Sequence, residues 1–109
     1  MSDQKPDYIV VYTTVATQDK AERIARALVE TRLVSCAQMS PITSIYSWKG
    51  DICHEPEILL TLRTRKDLYS KIETTIKSMH SYETPQIIAL PILAGSADYL
   101  AWISKETTK

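Results

Sequence analysis

Cys36, Cys53, His54 and His80 are the only thiol and imidazole groups in this sequence of 109 residues. A zinc site of Cys₂His₂ type would need all four together, yet neither C-x-x-C nor H-x₃-H spacing occurs. Cys53, Glu55 and Glu57 alternate onto one face of an extended stretch while His54 points to the other, which reads as a charged strand rim near a hairpin tip. His80 ends a helical run, where an imidazolium would meet the negative end of the helix dipole. It leads into Ser81-Tyr82-Glu83-Thr84-Pro85, a polar loop dense in side-chain donors and acceptors. Capping and ligation both account for a histidine in this place.

Covalent and acid–base chemistry find less support. No G-x-S-x-G elbow is present, and neither cysteine has a histidine partner in sequence. Glu55, Glu57 and Glu83 could supply an acidic pair, but no spacing favours one. The chain therefore reads as no enzyme. With only two glycines, Gly50 and Gly95, neither G-x-G-x-x-G nor a P-loop can be drawn.

Thirteen Lys+Arg balance thirteen Asp+Glu, which removes the broad attraction that nucleic acids and anionic membranes rely on. The longest apolar stretch, Ile87–Ala94, contains Pro91 and is far short of the roughly 20 residues of a membrane span. No nucleic-acid or membrane partner is expected. The N-terminal Met-Ser-Asp-Gln-Lys-Pro has no apolar core of a signal peptide, so the expected location is cytoplasmic, with both thiols reduced.

The elements that must position these residues follow from periodicity. A polar tail, residues 1–7, precedes a single domain, residues 8–109. Tyr8–Thr14, rich in β-branched and aromatic residues, reads as a buried strand. Thr17 or Asp19 can cap a helix, Asp19 with Glu22 having capping-box spacing, and Ala21, Ile24, Ala25, Leu28 and Val29 form its apolar stripe as far as Arg32. Val34–Trp48 is extended, with a bulge or bend expected at Pro41. Lys49-Gly50 forms a tight turn, and Ile52–Thr64 returns. Asp67 opens a second helix carrying Leu68, Ile72, Ile76 and Met79. Gln86–Ile92 is the last strand, and Ser96 caps a terminal helix.

The order β-α-β-β-α-β gives an α+β, ferredoxin-like sandwich with a long central β-hairpin and an extra C-terminal helix. One sheet face is left without helices, and Leu59 and Thr61 alternate onto it. An RNA-binding module of this topology would carry stacking aromatics on its third strand, where Glu57–Thr64 has none. A domain of this length has a radius of gyration of about 13 Å. The Val34–Trp48 arm would reach roughly 45 Å at about 3.3 Å per residue, so it overhangs its own domain unless it bends. Overhanging edges invite pairing with another copy. If Trp48 faces Asp51, Tyr46 faces Cys53 and Cys36 lies about 33 Å away, which rules out a disulfide within the chain.

Several stretches, in order, resemble the CutA-type divalent-cation tolerance proteins: Cys36-Ala, Ser44-Ile-Tyr46-Ser-Trp48-Lys-Gly50, Glu55-Pro-Glu57 running to Arg63-Thr64, His80-Ser-Tyr82-Glu-Thr84-Pro85, Leu90-Pro91-Ile92 and Asp98–Ile103. The resemblance implies a tight cytoplasmic homotrimer with hairpins pairing between subunits. It further implies a non-enzymatic part in tolerance of copper (Cu2+) and other divalent metals, with no cofactor required. The ligands suggested for the family are a cysteine, a histidine and a glutamate, at positions that here hold Thr13, His80 and Gln86. Thr13 and Gln86 bring neither negative charge nor softness, which leaves His80 as the metal-ligand candidate. The alternative is a sensor or scaffold resembling the trimeric PII signalling proteins. Trp48, Glu57, Arg63 and Tyr82 would then line inter-subunit clefts for a small molecule or a partner protein.

Overall fold

The computed structural model describes residues 7–108. Most of the expected tail, Met1–Pro6, and the terminal Lys109 lie outside the described residues. β1 (Tyr8–Val15), α1 (Gln18–Glu30), β2 (Cys36–Trp48), β3 (Asp51–Arg65), α2 (Tyr69–Met79), β4 (Ile87–Pro91) and α3 (Ala97–Glu106) follow one another. The four strands form one antiparallel sheet in the order β2-β3-β1-β4. The α+β class and the ferredoxin-like arrangement are those read from the sequence.

Period-2 alternation sorts the strands between two environments. Val11, Thr13 and Val15 of β1 and Leu60, Leu62 and Thr64 of β3 are buried. With Ile24 and Leu28 of α1 and Ile72 and Ile76 of α2, the apolar members of this set form the core. The opposite face carries Tyr12 beside Thr61 and Ile88, and Val10 beside Arg63 and Leu90. α1 and α2 lie on the other side, and α3 meets this face at its Tyr8 end through Ser104; Ile88 is 48% and Leu90 44% exposed.

The hairpin registers without interruption from Cys36↔Arg63 to Trp48↔Asp51, and Pro41 sits opposite Ile58 within that run. The bulge expected at Pro41 is absent. Being on the sheet's edge strand, β2 can leave the missing proline N–H facing outward without losing a ladder bond. Lys49 and Gly50 take φ of 52° and 87°, the positive pair a tight two-residue hairpin turn requires. The arm does overhang: the molecule measures 52 × 25 × 22 Å, with a radius of gyration of 15.0 Å. Ile45 (68% exposed) and Ile52 (76%) lie on this arm with no helix above them. Cys36 and Cys53 are free.

The local signals differ in detail. Thr17, whose hydroxyl accepts from the Lys20 N–H, is the cap of α1. Asp19 is instead held in the first turn by Arg23 at 3.3 Å. The helix ends at Glu30 rather than Arg32, which adopts φ 63° beyond it. Residues Lys66–Leu68 form a 3₁₀ turn before α2, so Asp67 opens that turn and not the helix. Gln86 precedes β4 and belongs to the loop. Ser96 caps α3 as expected, accepting from Tyr99.

Thr13 brings a testable oddity. Its side chain is fully buried and its hydroxyl meets no hydrogen-bond partner. Thr13→Val, of equal shape, is expected to stabilise the fold by about 1 kcal/mol, because a buried unpaired hydroxyl opposes folding. Denaturant unfolding checks this, and a destabilised variant would contradict it.

Candidate functional site

The loop after α2 folds back on the end of β1 through one imidazole. His80 Nδ1 accepts the Tyr82 backbone N–H at 3.1 Å, and Nε2 lies 2.7 Å from the Thr14 carbonyl oxygen. A backbone amide can only donate, so the Nδ1 lone pair is committed to it. Nε2 must then carry the proton and donate to Thr14. Both nitrogens of a neutral ring are thus engaged within the chain. The ring also packs tilted on Tyr82, centroids 4.7 Å apart.

That anchoring aims Tyr82 at β3. Its hydroxyl donates to Glu57 Oε2 at 2.8 Å. Glu57 is only 6% exposed, and no ion pair reaches it among the described residues. It was expected on a solvated rim; Glu55 is indeed exposed, but the Tyr82 loop closes over Glu57. Burial, and then the Glu57 carboxylate, push the Tyr82 phenol well above its ordinary value. Tyr46 is also raised, by partial burial and by Cys53, Glu55 and Glu57 around it.

Hairpin register completes the site. Trp48, Tyr46 and Ser44 alternate onto the face shared by Glu55 and Glu57. With Thr14, Tyr82, Glu83 and Gln86, they line a cavity of about 590 Å³. Glu83 on the rim pairs with Lys49 at 3.4 Å, and the Lys49 ammonium lies 5.5 Å from the centre of the Trp48 ring. Glu83 was considered from sequence only for an acidic pair, and Ser44 and Tyr46 not as cleft residues, although the hairpin register places these two.

The structure bonds Tyr82 to Glu57 and places Trp48, opposite Asp51, further along the same cavity, while Arg63 lies outside its lining. Arg63 is six residues from Glu57 on β3, about 20 Å along a strand, and donates to the Gln38 side-chain carbonyl. A cleft holding all four therefore needs a second copy of the chain. Of the three ligand positions, Gln86 lines the cavity, His80 lies outside the lining and ties the Tyr82 loop to Thr14, and Thr13 faces the helix side of the sheet. Among the described residues no three His, Cys, Asp or Glu side chains converge as a metal site.

One consequence is an alkaline instability. With its ionisation suppressed in the fold, Tyr82 supports stability below the ordinary tyrosine value of 10.0. That support is lost as rising pH ionises the unfolded chain but not the folded one. Unfolding free energies measured from about pH 9 to about pH 11.5 are expected to fall less steeply in Tyr82→Phe than in the parent. Identical slopes would contradict the assignment.

Comparison with known proteins agrees with this fold and these motifs. The family model described as CutA1 divalent ion tolerance protein matches residues 9–106. The chain is 40% identical over 99 residues to the divalent-cation tolerance protein CutA of Thermus thermophilus, covering 90% of this chain and 96% of that one. The crystal structure of CutA1 from Oryza sativa superposes with a TM-score of 0.93 at 34% identity, over 95% of this chain and 96% of that one. A structure described as the periplasmic divalent cation tolerance protein CutA from Archaeoglobus fulgidus gives a TM-score of 0.89 at 35% identity, over 91% of this chain and 97% of that one. The chain belongs to the CutA1 divalent ion tolerance protein family.

Proposed function

We propose that this chain serves divalent-cation tolerance as a non-enzymatic cytoplasmic homotrimer, responding to metal stress through a small molecule held in the Trp48–Glu57–Tyr82 cleft, in the manner of the trimeric PII sensors. The observation that carries the proposal is the buried Glu57 carboxylate, hydrogen-bonded to Tyr82 and facing a cavity of about 590 Å³. That volume suits a small metabolite, and the lining of aromatic surface with few polar groups suits its orientation. The exposed apolar sheet face and the overhanging hairpin support self-association, and the free thiols of Cys36 and Cys53 suit a reducing compartment.

Direct binding of Cu2+ or another divalent ion at His80 is the second reading, favoured by the tolerance named for the relatives. A metal there would have to take one of the two ring nitrogens from its present hydrogen bond. The test is complementation of cells lacking their own copy, grown on graded copper. The wild-type chain is expected to restore tolerance and Trp48→Ala to fail. Full restoration by Trp48→Ala would remove the cleft from the function.

A further inference from the structure

The cavity has a charge asymmetry that selects its occupant. Its lining includes two carboxylates, Glu57 and Glu83, and no Lys or Arg. Glu83 is neutralised at the rim by Lys49. Glu57 is buried, its one side-chain hydrogen bond comes from the neutral Tyr82 hydroxyl, and no cation pairs with it among the described residues. A buried carboxylate without a positive partner is costly to fold around, so a ligand bringing positive charge gains what the protein alone does not supply. Tyr82 stands beside it, and Tyr46 and then Trp48 line the cavity beyond, rings whose π-faces attract cations. The Lys49 ammonium over Trp48 shows that ring already serving such a contact. A phosphate would face Glu57 with no Lys or Arg in the lining to hold it.

Resting on the reading of this cleft as a ligand site, we infer that its ligand is a small organic cation, an ammonium or guanidinium on an apolar body, with the positive head on Glu57 and the body against Trp48. The site is thus opposite in charge preference to a nucleotide site.

Calorimetric titration with three probes of one shape tests this: 2-phenylethylammonium, neutral 2-phenylethanol and anionic phenylacetate. The ammonium is expected to bind at least about tenfold more tightly than the alcohol, and phenylacetate least, since a bond to a charged partner is worth roughly that factor. Glu57→Gln is expected to erase the preference. Glu55→Gln, at an exposed carboxylate outside the cavity lining, is expected to retain it, so loss of charge on this strand alone does not decide the matter. Equal binding of ammonium and alcohol, unchanged in Glu57→Gln, overturns the cation assignment but leaves the cleft a ligand site. Tighter binding of phenylacetate overturns it likewise. No binding of any probe, with Glu57→Gln shifting the assembly toward single chains, would mean that a second copy already supplies the positive partner; both the cation and the cleft proposals then fall.

Discussion

Leu90→Glu is expected to leave single chains of 12.4 kDa, where the proposed homotrimer of the parent is expected at three times that mass in light scattering. Leu90 lies 44% exposed at the centre of an apolar patch, beside Val10 and one pair along from Ile88 and Tyr12. α1 and α2 pack on the other face, and α3 meets this one at its Tyr8 end, where Ser104 bonds the Tyr8 hydroxyl, leaving Leu90 and Ile88 exposed among the described residues. A buried leucine is worth about 1.5–3 kcal/mol, and desolvating a carboxylate in its place costs several kcal/mol more, repeated at every copy. Because the core lies across the sheet, the variant should keep its circular dichroism. A parent already at 12.4 kDa would refute the homotrimer; a variant still at three times that mass would move the interface elsewhere.

His80→Ala carries the second large effect. The ring joins two segments, taking the Tyr82 amide on Nδ1 and giving a proton to the Thr14 carbonyl from Nε2. Alanine removes both bonds and the packing on Tyr82, a loss of about 2–4 kcal/mol if each bond is worth about 1 kcal/mol and the ring contact a similar amount. The Tyr82 amide should lose its protection against hydrogen exchange, and the Tyr82–Glu57 bond should lengthen or break with it. Because the loop shapes the cavity, cleft binding should weaken even though His80 is not among the residues lining it. An amide equally protected in the variant would show that the loop holds without the imidazole.

The fold was legible because its signals are periodic. Ile24 and Leu28 recur at helical spacing, Leu60 and Leu62 at strand spacing, and Lys49-Gly50 fixes the hairpin register from which every pairing out to Cys36↔Arg63 follows. Pro41 misled because a proline reads as a break, whereas an edge strand tolerates one. The site was half legible. Trp48 and Glu57 share a face of one hairpin, but Tyr82 lies 25 residues beyond Glu57, and its arrival there depends on how the loop after His80 returns over β3. No local pattern encodes that return. Glu57 looked solvated because its neighbour Glu55 is, and only the closing Tyr82 distinguishes them. Arg63 was grouped with a cleft between subunits; within one chain it lies about 20 Å along β3 from Glu57, on the side away from Trp48.

Whether His80 is scaffold or ligand is decided most directly by a Cu2+ titration of metal-stripped protein followed by electron paramagnetic resonance. The exposed His54 is first replaced by alanine, so that any imidazole signal belongs to His80. With both His80 nitrogens committed inside the chain, the spectrum is expected to show no imidazole nitrogen coupling and the titration no saturable site of one metal per chain. One Cu2+ per chain with a resolved imidazole coupling would contradict it and make His80 a metal ligand.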